Sequence, residues 1–76
     1  MNPEELEQIR RDLPKELGGA KEVAKRVGVS YSQALLILRG QKTMTAIAAR
    51  VIREARKLIE ENNRRISDIL AGKADE

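Results

Sequence analysis

A chain of 76 residues with a formal net charge of +3 makes one small domain; having no Cys and no His, it lacks a disulfide framework, a thiolate or imidazole metal site and an imidazole base. A single aromatic residue, Tyr31, argues against recognition of single strands or RNA by base stacking, which needs several aromatic platforms. No apolar run approaches the roughly 20 residues of a membrane span, and the acidic start, MNPEELEQ, has no signal-peptide character, so a soluble, cytoplasmic chain is expected.

The first helix is predicted over residues 3–12. Asn2 is its N-cap, Pro3 suits the first helical position, and Glu5 makes a box-like pair with the cap. Leu6, Ile9 and Leu13 share one face, and Pro14 disfavours helix at the residue before it. Residues 13–19 form a connector with one helical turn at 15–17. Gly18-Gly19 is either a simple turn or the opening of a helix N-terminus able to hold a phosphate.

Residues 20–39, AKEVAKRVGVSYSQALLILR, organise the rest. Apolar positions 20, 23, 24 and 27 have helical spacing and predict a helix over 20–27. Gly28 suits the left-handed residue that ends such a helix, and Val29 plugs the angle of a turn at 28–30. Ser30 with Gln33 reads as a capping box, S-x-x-Q, opening a second helix over 31–39 whose inner stripe is Ala34, Ile37 and Leu38. Two short helices joined this way make a helix-turn-helix.

Gly40 closes the second helix, and residues 40–43 form a loop in which Thr43 competes with Thr45 to cap the next helix. That long helix is predicted over 44–70, with Ile47, Ala48, Val51, Ile52, Ala55, Leu58, Ile59, Asn62, Ile66, Ile69 and Leu70 as its stripe. At 1.5 Å per residue it would reach about 40 Å, more than so small a domain needs, so a break near 62–63 is expected. Beyond it the segment either folds back on the first helix or protrudes and pairs with another copy. Arg56 and Lys57 are expected to pair with Glu60 and Glu61. Residues 71–76 are a tail.

Charge is unevenly placed. Between Lys21 and Lys57 nine basic residues meet two acidic ones, a local net charge of +7, whereas the rest of the chain nets −4. A basic centre that coincides with the helix-turn-helix suits a polyanion, although a solvated Lys/Arg surface has the same composition.

The same stretch resembles the helix-turn-helix of the lac repressor family and of small phage-type repressors. Ala24, Gly28, Val29, Ser30 and Tyr31 carry the likeness, over about 20 of the 76 residues. The resemblance implies that the second helix reads bases in the major groove of double-stranded DNA with Tyr31 and Ser32, then Leu35, Leu36 and Arg39. It implies phosphate contacts at Ala20, Lys21, Ser30, Gln41, Lys42 and Thr43. Gln33 can make a bidentate contact to adenine, in competition with its capping role, and Arg39 one to guanine. Leu35 and Leu36 depart from the family, which carries polar residues there. A Leu can touch a thymine methyl, pack inward, or belong to a protein interface.

No catalytic constellation is present, because the carboxylates are scattered and Ser30, Ser32 and Ser67 have no base nearby in sequence. The expectation is therefore an all-α fold of four or five helices around a helix-turn-helix with a long C-terminal helix. The expected function is non-enzymatic, sequence-selective binding of double-stranded DNA, without metal, cofactor, membrane or small-molecule substrate, with a homodimer open. The alternative is a protein-interaction or self-associating helical module using Leu35, Leu36 and the C-terminal helix. Strong helix formers, clean caps and the absence of Cys, His, Trp and Phe suit a designed chain as well as a natural small repressor.

Overall fold

The structure, a computed structural model, describes residues 3–41 and 45–72. The expected Asn2 cap, the phosphate candidates Lys42 and Thr43, the helix start at Met44 and the tail beyond Gly72 lie outside the described residues. The fold is all-α. The elements in order are α1 (Pro3–Asp12), a 3-10 turn (Lys15–Leu17), α2 (Gly19–Val27), α3 (Tyr31–Leu38) and α4 (Thr45–Leu70).

The helices assemble by burying the faces that their periodicity sets aside. Leu6 and Ile9 of α1, Val23 and Ala24 of α2, Ala34, Ile37 and Leu38 of α3, and Val51, Ala55 and Leu58 of α4 are all buried. Among the described residues no polar or charged side chain joins them. Leu38, Leu58, Val23 and Val51 are the largest side chains fully out of water, each worth about 1.5–3 kcal/mol of burial. Ala24 and Ala34 keep α2 and α3 close, since neither puts more than a methyl group between the backbones. Leu13, Leu17, Val27 and Val29 close the edges of the same core.

The turn between α2 and α3 is set by two residues. Gly28 adopts φ +86°, a left-handed conformation in which a Cβ would be strained, and its N–H donates to the Ala24 carbonyl at 2.8 Å. Ser30 is extended and its hydroxyl accepts from the Gln33 N–H at 3.1 Å, so α3 begins with one first-turn donor satisfied. At the other end of α3, the Gln41 N–H donates to Leu36 and the Gly40 N–H to Ile37, the paired bonds of a Schellman ending. Arg10 of α1 adds a guanidinium bond to the Leu38 carbonyl at 2.5 Å. A cation thus sits on the negative end of the α3 dipole and ties α1 to it.

Two expectations about the C-terminal segment are corrected. No break occurs at 62–63, and α4 runs unbroken for 26 residues. Asn costs a helix only a few tenths of a kcal/mol more than an average residue, and the Ile59-to-Ile66 spacing keeps helical period across the pair. At 1.5 Å per residue α4 spans about 39 Å, close to the 43 Å longest dimension of the molecule, so its last turns project rather than fold back. The ion pairs also differ: Arg56 lies 3.8 Å from Glu5 of α1, and Lys57 pairs backward with Glu54 at 3.5 Å. Glu60 pairs with Arg64, and Glu61 leaves α4 altogether to meet Arg26 of α2. Tertiary neighbours outcompete the local spacing because the Arg26 guanidinium presents two donors to Glu61, at 2.8 and 3.1 Å.

Candidate nucleic-acid interface

The α2–turn–α3 unit has one face in the core and one in water. Advancing 100° per residue from the buried side of α3 places Ser32, Leu36 and Arg39 on its outward side. Ser32 and Arg39 are exposed, and Leu36 is half-buried. Tyr31 and Leu35 lie beside this row, toward α2 and α1. Gln33 lies on the opposite flank and is half-buried, its backbone N–H serving the Ser30 cap.

Tyr31 and Leu35 lead into a groove of about 390 Å³ between the start of α2, the end of α1 and the side of α3. Its walls carry Arg10, Lys15, Lys21 and Arg39 and no carboxylate. Gly18, Gly19 and Ala20 form its end, which is the N-terminus of α2. Gly18, at φ +102°, accepts no larger residue: a Cβ there would lie 2.7 Å from that of Glu22. Its helix has no side-chain cap, so no side chain of its N-cap residue engages the first-turn N–H groups of α2. The Gly18 and Gly19 N–H groups themselves donate to Lys15 and Pro14, which makes the pair an ordered corner rather than a slack turn. Lys21 stands over the Tyr31 ring at 5.5 Å, linking the starts of α2 and α3.

The basic residues of the chain divide into two populations. Arg26 is held by Glu61 and Glu22, and its pKa is driven further above its already high ordinary value chiefly by the hydrogen bond to Glu61. Arg11, Arg56, Lys57 and Arg64 also lie within 4 Å of a carboxylate. Lys15, Lys21, Lys25, Arg39, Arg50 and Arg53 have no ion pair among the described residues. The local charge of +7 counted along the sequence is therefore an overestimate of what faces outward, and the unpaired cations gather at the groove and along the first half of α4.

Of the residues singled out from sequence, the fold brings Ala20, Lys21, Tyr31, Leu35 and Arg39 to one surface. Ser30 and Gln41 are exposed at the two ends of α3 and act there through hydrogen bonds that terminate the helix. Leu35 and Leu36 are both half-buried, so neither forms the exposed apolar pair that the self-association alternative assumed. The sequence reading missed Arg10 and Lys15. Their cationic side chains precede the basic stretch and reach the groove only because α1 docks its C-terminal end against that of α3.

No protein-family model, curated protein or solved structure matches the chain.

Proposed function

We propose that this chain is a non-enzymatic binder of double-stranded DNA that lays α3 in the major groove, in the manner of the repressor helix-turn-helix that its sequence resembles. The observation that carries this reading is the groove at the exposed flank of α3, where four cations converge without a single carboxylate. A phosphate entering there meets Lys15, Lys21 and Arg39 together with the amide end of α2. The outward row of Ser32, Leu36 and Arg39 then faces base edges. Ser32 donates or accepts a hydrogen bond, Leu36 meets a thymine methyl and Arg39 pairs with guanine. Phosphate contacts supply most of the affinity, and the α3 row supplies the preference. Such a role puts the protein with the nucleoid, in the cytoplasm.

The test is duplex binding over a salt series with a randomised library. Neutralisation of three or four phosphates gives a log–log slope of about −2.7 to −3.6, and enrichment yields a short motif. Lys21→Gln reduces the slope by about one unit with the motif retained, whereas Arg39→Ala relaxes one position of the motif by about 1–3 kcal/mol. Binding that is indifferent to salt, or enrichment of no sequence, defeats the proposal.

A further inference from the structure

We infer that the outward side of α4, over residues 46–60, is a second surface for double-stranded DNA that does not read sequence, so that one chain holds two duplexes; for the first of these, on α3, the inference rests on the function proposed above. Between residues 46 and 60 the exposed residues of α4 are two alanines, the four cations Arg50, Arg53, Arg56 and Lys57, and Glu60. At 100° per residue the four cations fall within an arc of about 120°. The middle of that arc lies opposite Val51, Ala55 and Leu58, the residues by which α4 enters the core. Along the helix axis the cations span about 10 Å.

Charge, and the lack of anything else, selects the occupant. Arg50 and Arg53 have no ion pair among the described residues. Arg56 and Lys57 are held only by exposed pairs, with Glu5 at 3.8 Å and Glu54 at 3.5 Å, which a phosphate exchanges readily. Glu60, the one carboxylate exposed on this stretch, is engaged by Arg64 at 3.5 Å. Apart from the methyl groups of Ala46 and Ala49, no exposed apolar side chain stands among the cations. A folded acidic protein therefore finds no apolar or aromatic anchor of the kind on which protein interfaces depend. A duplex needs none, because it carries one charge per about 1.7 Å of its axis and is held through phosphates alone where its sequence is not read. Three of the four cations are arginines, whose planar donors match phosphate oxygens.

The duplex held here is not the one on α3. No residue of α4 lines the groove beside α3. The depression on α4 that is lined by Ala49, Ile52, Arg53, Arg56 and Lys57 shares no residue with that groove. Ile37 and Leu38 of α3 and Val51, Ala55 and Leu58 of α4 meet in one core, so the exposed sides of the two helices diverge from it.

Two double variants separate the surfaces. Lys15→Gln with Lys21→Gln weakens the groove, and Arg50→Gln with Arg53→Gln weakens α4; both pairs leave the buried residues untouched, and glutamine is well accepted in helices. The groove variant should still bind a duplex of random sequence, with a log–log salt slope of about −1.8 to −3.6 for two to four phosphates. Adding the α4 substitutions to it should weaken this binding at least tenfold and flatten the slope by about 1.8. Because the groove variant reads α4 alone, that result does not depend on whether α3 selects a motif. With the parent chain, a duplex fixed to beads should capture a second, labelled duplex from solution. The α4 variant should capture none, while its affinity and salt slope on the duplex that α3 selects stay those of the parent. A groove variant that binds no duplex overturns the inference, as does an α4 variant that captures the second duplex as well as the parent does. A slope on the selected duplex that falls by about 1.8 in the α4 variant also overturns it, since Arg50 and Arg53 then belong to the footprint of α3.

Discussion

α3 and the last nine residues of α4 are helices of almost equal length held by opposite means. Three of the eight residues of α3 are buried, and both its ends are closed by hydrogen bonds, accepted by the Ser30 hydroxyl at the start and donated by Gly40, Gln41 and Arg10 at the finish. Residues 62–70 of α4 contribute no buried side chain and are carried by continuity with the packed half of their own helix. Their charges differ in the same sense. The cations beside α3 surround a groove without carboxylates, whereas on α4 Glu60, Glu61 and Asp68 alternate with Arg64 and Arg65 within three turns. A surface that keeps like charges unpaired carries a repulsion that an anionic ligand would relieve, and a surface that mixes them does not.

The sharpest way to break this contrast is to remove the same atoms from each helix. Leu38 is 1 % exposed and Leu70 is 83 % exposed. Leu38→Ala should cost about 2–5 kcal/mol, a large part of the stability of so small a domain. Leu70→Ala should stay within about 0.5 kcal/mol. Urea midpoints of the two variants measure this, and comparable losses would mean that the end of α4 is packed in a way the exposure of Leu70 denies.

Next in size is the turn. Gly28→Ala places a Cβ on a residue at φ +86°, where nothing lies within 4 Å to clash, so the whole cost is conformational. It should be about 1–2 kcal/mol. Gly72→Ala, at φ +77° after the end of α4, meets equally open space but lies where the chain need not hold its conformation for the core to form. Thermal melts of the two variants separate a strained residue that fixes α2 against α3 from one that fixes nothing. Ser30→Ala comes next, at about 1 kcal/mol, from the lost cap on Gln33.

These effects also mark what could be read from sequence. The turn was legible because Gly28 and Ser30 each have a local reason for their position, and the buried rows of α2 and α3 were legible because helical period is local too. The continuity of α4 was not, since chain length suggested a break at Asn62-Asn63 while the weak propensity penalty of Asn did not require one. The groove was half legible. Lys21, Tyr31 and Arg39 sit within the motif, but Arg10 and Lys15 join them only through the docking of α1. The partner of Arg26 was hidden for the same reason, with 35 residues between it and Glu61.

That pair gives the smallest expected effect and the finest test of how far the order of the core extends along α4. Arg26 keeps the Glu61 carboxyl below its ordinary value of 4.5, first through the hydrogen bond and then through charge. A carboxyl whose folded pKa is depressed stabilises the fold above its unfolded pKa, and that contribution disappears as pH falls through the folded value. The fold should therefore lose a little stability on acidification below about 4.5, the ordinary value of Glu61. Glu61→Gln, which keeps a hydrogen-bond acceptor but no charge, should flatten that part of the pH profile and lower the melting temperature only slightly at neutral pH, because both side chains are open to solvent. Glu60→Gln, one residue earlier, removes a charge whose partner is Arg64 on the same helix. It should leave the acid limb as it is in the parent chain. If the two variants give the same profile, Arg26 does not anchor α4 at Glu61, and the free segment begins nearer to Ile59.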